Sequence, residues 1–458
     1  MAIATVNPTT GITEQTFTAH TAEEVEERLA TAASAFTALK STTYAQRAEW
    51  MIATAELLEA EVDDTARILT IEMGKTLASA RGEVLKCAKN MRFYAANAEI
   101  FLADEVLEEP SSVGAVRAKA IYQPLGIVLA VMPWNYPLWQ VIRFAAPALM
   151  AGNVGILKHA SNVPQAALYL DDVFTRGGFP KGSFSTLLIG SAEVKAVIED
   201  KRVTAVTLTG SEPAGRSVAS IAGNSIKKAV LELGGSDPFI VMPSADLAAA
   251  AATAVNSRTG NNGQSCIAAK RFIVHADVYD DFRALFVEKM AALRVGDPLL
   301  DTTDVGPVAT EGGRNDLIEL VDDALGHGAT ALVGGATPDG PGWFYPPTII
   351  EGITTDMRLY QEETFGPVAS LYRVADADEA ISIANGTEFG LSSNVWTTDD
   401  AERDLFTRTL DAGAVFVNGM TVSYPELPFG GIKVSGYGRE LAAAGIREFC
   451  NLKTIWEA

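Results

Sequence analysis

Cys266 ends the run GNNGQSC and is one of three cysteines in 458 residues. A thiol in such a polar, glycine-rich and, on sequence, flexible stretch is placed for access rather than for packing. Cysteine chemistry runs through the thiolate, which needs access and a base or dipole that lowers its pKa. No histidine is near in sequence, so a Cys–His pair is not indicated. Two other residue types could complete the chemistry. Glu232, in LELGGSDP, stands at the end of a strand candidate before two glycines. It is either a general base or a solvated strand end. Asn135, in MPWNYP, is an amide held between aromatics and prolines. It either donates to an oxyanion or bonds turn backbone.

Two further features could hold an anion. VTLTGSEPAGRSV reads strand, Gly210, Ser211, then a helix entered through Gly215. Free backbone N–H groups at such a junction can bind phosphate, although glycine there is also ordinary turn chemistry. Lys158, in GILKHASNVP, follows an apolar strand. It is either a solvated lysine or a cation at a strand's carboxyl end, where α/β proteins bind ligands.

The elements that must position these groups follow from periodicity. The first third is helical: TAEEVEERLATAASAFTAL opens with Thr21 and Glu24 at capping-box spacing. Residues Arg117 to Gln123 alternate and are polar, which suggests a projecting hairpin rather than a central strand. From Gly126 onward, VGILKHA, FSTLLIG, VTAVTLTG, KKAVLELGG and DPFIVM alternate with helical stretches, the βαβ rhythm of a parallel sheet. The rhythm restarts after residue 266 with AAKRFIVHADV, a helix over about 277–293, ATALVGG, WFYPPTIIEGI, ASLYRV and GAVFVNG. Two α/β units leave a crevice between them, a favoured place for a small-molecule site.

The formal net charge of −21 argues against nucleic acid or an anionic membrane as partner. The longest apolar run, residues 126–152, contains Asn135, Gln140, Arg143 and three prolines, and reads as core rather than a bilayer span. Three cysteines without a CxxC, and four scattered histidines without HExxH, indicate neither a disulfide framework nor a metal site. The N-terminus lacks the basic and apolar regions of a signal peptide. A reducing, cytoplasmic setting is expected. Cys87, inside a helical stretch, is expected to be packed.

PWNYP, LTGSEPAG, LELGG, GQSC, QEETFGPV and PFGGIKVSGYGRE stand in the order and approximate spacing of NAD(P)-dependent aldehyde dehydrogenases. The chain resembles that family over nearly its whole length. The resemblance implies an aldehyde dehydrogenase-like α/β fold, with two Rossmann-type α/β domains and a small β oligomerisation arm. The corresponding boundaries are 1–106 and 125–234 for the cofactor domain, 235–440 for the catalytic domain, and 107–124 and 441–458 for the arm. A dimer or tetramer is expected, with Cys450 structural. The resemblance further implies Cys266 as nucleophile, Asn135 as oxyanion donor and Glu232 as activator of the hydrolytic water. Trp134, Lys158, Gly210, Ser211, Leu233, Glu363 and Phe365 match the family's cofactor positions. NAD-preferring members carry a glutamate three residues after the lysine; here the position is Ser161, which favours NADP over NAD, because a carboxylate would repel a 2′-phosphate.

PLWQVIRFAAPALMAG resembles the subfamily that oxidises succinic semialdehyde. Arg143 falls where that subfamily binds the substrate carboxylate, the alternative being an internal salt bridge. Ser423 matches a serine that assists, and Trp139 could wall the acyl chain. Gly260 occupies a position where some members carry a second arginine, and Arg258 is out of register. Ala268 replaces a second cysteine that permits a disulfide in some relatives. Glutarate semialdehyde or an uncharged aliphatic aldehyde stands as the alternative substrate.

Overall fold

The computed structural model describes residues 2–458. After an N-terminal hairpin, Ile3–Asn7 with Ile12–Phe17, come four helices: Ala22–Leu39, Tyr44–Ala60, Val62–Met73 and Leu77–Phe101. The first begins with the expected capping box, Thr21 and Glu24 each bonding the other's backbone N–H. The helices bury Leu29, Met51, Leu58, Leu69 and Met91 in one core with a six-stranded sheet.

That sheet runs Gly436–Tyr437, Lys228–Glu232, Val203–Thr209, Ile127–Met132, Val154–His159, Phe184–Thr186. All neighbours are parallel except Gly436–Tyr437, which pairs antiparallel with Leu231 and Glu232. A seven-stranded sheet follows: Thr330–Val333, Thr348–Glu351, Val368–Val374, Ala269–His275, Asp237–Val241, Ser393–Trp396, Val415–Val417. Only its first strand is antiparallel. Alternate residues divide between two cores: Phe239, Val241, Phe272 and Val274 face one, Ile240, Met242 and Ile273 the other. Burial on both faces is why these strands read as continuous apolar runs. The chain changes sheets between Glu232 and Asp237. It returns at Gly436, a segment that the sequence assigns to the second α/β unit.

One expectation holds in part. Arg117–Pro124 pairs antiparallel with the preceding strand Glu105–Val106, as a hairpin does, but has a second partner. It is the middle strand of a separate three-stranded sheet, between Glu105–Val106 and Cys450–Glu457. Alternation reveals a strand but not a partner some 330 residues away in sequence. No described helix is long and apolar enough to cross a membrane.

Candidate active site

In a parallel sheet the carboxyl ends of the strands share one edge, and loops leaving that edge meet. Pro133, Trp134 and Asn135 follow Ile127–Met132; Gly210 and Ser211 follow Val203–Thr209; Leu233 and Gly234 follow Lys228–Glu232. With Gln140, Thr209, Cys266, Glu363 and Phe365 they line one cavity of about 250 Å³.

The loop carrying Cys266 is not the flexible stretch that its composition suggests. Asn261, Asn262, Gly263, Gln264 and Ser265 are all buried. Asn261 and Asn262 both have φ of 57°, a left-handed conformation that asparagine tolerates. Their side chains recover the cost. Asn262 Nδ2 donates to Gly74 O at 2.8 Å and Pro307 O at 2.9 Å, and its Oδ1 accepts from Gly306 N at 2.9 Å. Asn261 Nδ2 donates to the backbone oxygens of Asn135 at 2.9 Å and Gln264 at 3.0 Å. Gly263, at φ 74°, lies so close to Gly366 that a Cβ would approach its carbonyl carbon to 2.3 Å. Lys270 Nζ donates to Ser265 O at 2.9 Å and Cys266 O at 2.6 Å. The thiol is therefore held on a locked loop, tied to the turn that carries Asn135.

Around Cys266 two donors are available. Its own N–H donates to no described group. Asn135 Nδ2 spends one hydrogen on Gln264 O at 3.1 Å and keeps the other, while its Oδ1 has no partner. Burial pushes the Cys266 thiol up to about 12, against the pull of Lys270 and Arg143. The thiol must lose its proton before it can attack.

Glu232 is 2% exposed, and neither carboxylate oxygen has a hydrogen-bond partner. It does not itself line the cavity: it pairs with Thr209 across the sheet and precedes Leu233, both of which do, and its Oε1 faces Gly430, where a Cβ would meet it at 2.7 Å. Burial, then the negative charge of Glu440, pushes its carboxyl up to about 8; Arg143 and Arg439 oppose the shift. Glu440, raised by its own burial, is delivered by the segment that returns from the second unit. It ends the PFGGIKVSGYGRE motif, but nothing in sequence places it beside Glu232.

The cofactor candidates divide into two places. Trp134 and Phe365 meet edge to face at 5.7 Å and with Leu233 give the cavity apolar walls suited to a flat ring. Glu363 Oε1 accepts from Gly235 N at 3.1 Å and lies 3.2 Å from Lys270 Nζ. Ser211 caps the helix Glu212–Asn224 with no side-chain bond, leaving that N-terminus open, and a Cβ on Gly210 would meet nothing closer than 3.6 Å. This cradle has room and backbone donors for a diphosphate. Lys158 and Ser161 lie outside the cavity, at the end of the adjacent strand Val154–His159. Lys158 has no bonded partner among the described residues, and burial lowers its pKa. The donor set fits a phosphorylated dinucleotide.

The substrate residues need a correction. Arg143 is not a free anchor. It is 2% exposed, forms a salt bridge with Glu440, and packs over the Phe429 ring at 4.6 Å. A buried guanidinium requires an anion, and the chain supplies one. Trp139 and Ser423 do meet: the indole Nε1 donates to Ser423 Oγ at 3.1 Å. Lys86, which sequence reasoning missed, donates to the same oxygen at 2.8 Å. Gly260 is exposed with open space beside it. Arg258 is fully buried and donates to Gly263 O at 2.6 Å, so it supports the thiol loop instead. Cys87 is fully buried, and the Cys450 thiol donates to Ile446 O at 3.4 Å.

A model of the aldehyde dehydrogenase family matches residues 1–455. The chain is 65% identical to succinate-semialdehyde dehydrogenase (NADP(+)) 1 of Mycobacterium tuberculosis, over the whole of both chains. It is 63% identical to the corresponding Mycobacterium leprae enzyme, again over both full lengths. A solved structure of succinic semialdehyde dehydrogenase from Streptococcus pyogenes, in complex with NADP+, aligns with TM-score 0.96 and 37% identity over 99% of each chain. The chain belongs to the aldehyde dehydrogenase family.

Proposed function

We propose that the protein oxidises succinic semialdehyde to succinate with NADP+. The observation that carries the chemistry is a thiol lining one cavity with two spare N–H donors, and an unbonded buried carboxylate behind two of its lining residues. Cys266 gives its proton to water in the cavity. The thiolate sulfur then bonds to the aldehyde carbon, and the carbonyl π pair moves to oxygen. Cys266 N–H and Asn135 Nδ2 stabilise that oxyanion. The dinucleotide, when bound, supplies the acceptor for the hydride that leaves the same carbon. The carbon is now a thioester on Cys266. Glu232, turned from Gly430 toward the cavity, takes a proton from water, whose oxygen attacks the thioester; the C–S bond breaks, the Cys266 sulfur leaves as thiolate and succinate departs. Lys158 and Ser161 hold the 2′-phosphate, while Trp134, Leu233 and Phe365 wall the ring and Gly210 and Ser211 the diphosphate. Glu363 orients the ribose side of the cavity.

The names and cofactor of the relatives support the substrate and dinucleotide. The test is absorbance of reduced nicotinamide with succinic semialdehyde or butanal, each with NADP+ or NAD+. Rapid reduction of NADP+ with succinic semialdehyde is expected. Preference for butanal, or for NAD+, overturns the corresponding half of the proposal.

We also infer a cytoplasmic homo-oligomer. Three unpaired cysteines support a reducing compartment. Exposed Val106, Leu452 and Trp456 on the three-stranded sheet, with Val116 just before its middle strand, support association through 107–124 and 441–458. Sedimentation equilibrium that returned a monomer would refute the assembly.

A further inference from the structure

We propose that Lys86 is the cation that receives the substrate's carboxylate, in a subsite completed by the Ser423 hydroxyl and the Trp139 indole. The proposal rests on the reading of the substrate as a carboxylated aldehyde.

Arg143 already has its anion. Its ion pair with Glu440 is buried and its guanidinium lies over Phe429, so its charge is compensated within the fold. Lys86 differs. Its Nζ lies 2.8 Å from Ser423 Oγ and 4.0 Å from the centre of the Trp139 ring, yet no described carboxylate pairs with it. The nearby acids are taken. Glu83, one turn earlier on the helix, is consumed by Lys75 and by the N–H groups of Leu138 and Trp139. Glu426 lies against Lys89 at 3.5 Å.

Three donors converge here. The ammonium spends one hydrogen on Ser423 and keeps two. Ser423 Oγ accepts from both Lys86 and Trp139 Nε1, so its own hydrogen is free to point outward. An ammonium beside a hydroxyl suits the two oxygens of a carboxylate. Burial and the adjacent Arg143 push the Lys86 ammonium down to about 8. An anion would relieve both effects. Lys86, Ser423 and Trp139 do not line the Cys266 cavity, but Gln140, next to Trp139 in the chain, does, and the charge of Arg143 acts on both Lys86 and the Cys266 thiol.

The test is the ratio of kcat/KM for succinic semialdehyde to that for butanal, with NADP+, in wild type, Lys86→Met and Lys86→Arg. Methionine keeps the apolar stem on Trp139; arginine keeps the charge. Losing one partner of a desolvated charge pair is expected to lower the ratio about 100-fold in Lys86→Met, through KM. Lys86→Arg is expected to recover most of it. Lys86→Gln, which keeps a donor to Ser423, gives the same reading if the methionine variant fails to fold. A ratio unchanged in Met and Gln variants, with both aldehydes slowed together, would mean a structural lysine and overturn the proposal. In that case wild-type preference for the carboxylated aldehyde leaves the substrate reading standing. A wild type without that preference overturns both.

Discussion

Glu83 and Lys75 set the helix that begins at Trp139. Both side chains are at most 1% exposed and form an ion pair. Glu83 Oε1 also accepts from Leu138 N at 2.8 Å and Trp139 N at 2.9 Å, so it caps the helix Trp139–Ala151. Lys75 lies 4.1 Å from the centre of the Tyr136 ring, next to Asn135. Glu83→Ala strands a buried ammonium, at a cost of about 3–5 kcal/mol, and loses a cap worth about 1 kcal/mol. Lys75→Met in the same background removes the stranded charge. The double variant is therefore expected to be more stable than Glu83→Ala alone by about 2–4 kcal/mol. Urea midpoints of the four proteins, followed by fluorescence, measure the cycle. Because the cap fixes the turn that bears Asn135, Glu83→Ala should also lose about 100-fold in kcat. A double variant less stable than the single one, or a Glu83→Ala enzyme with normal kcat, would refute this account.

Three other outcomes are expected. Hydrolysis of the thioester needs ionised Glu232, whose carboxyl stands near 8. The single-turnover rate should therefore rise with pH and reach half its plateau near 8, and Glu440→Gln should move that midpoint to lower pH; a midpoint near an ordinary carboxyl would contradict the burial argument. Asn262→Ala removes three hydrogen bonds and leaves a left-handed alanine, costing about 2–4 kcal/mol, read as a lower thermal midpoint. Ser161→Glu places a carboxylate toward the 2′-phosphate; at about 5 Å and an effective dielectric of about 20 the repulsion is about 3 kcal/mol. NADP+ preference should fall roughly 100-fold, and an unaltered KM for NADP+ would remove Ser161 from the phosphate site.

What was legible in sequence depended on local pattern or on contiguous motifs. The capping box at Thr21 and Glu24, the two runs of alternating strands and helices, and the short motifs around Asn135, Glu232 and Cys266 all lie within a few residues. Contacts between distant segments were not legible. The thiol loop reads as flexible because the groups that lock it, Gly74 O, Gly306 N and Pro307 O, come from elsewhere in the chain. Arg143 reads as either a substrate anchor or half of a salt bridge, because its partner Glu440 is about 300 residues away. Lys86 carries no signal in sequence, because Ser423 and Trp139 reach it only in the folded chain. The strand Arg117–Pro124 shows its alternation but not its partners.

Mass spectrometry of Glu232→Gln after mixing with succinic semialdehyde and NADP+ tests the central claim most directly. With the water-activating carboxylate gone, the thioester should persist. The account predicts one equivalent of reduced nicotinamide and a succinyl group on the peptide that carries Cys266. Steady turnover without an adduct, or an adduct on another residue, would contradict it.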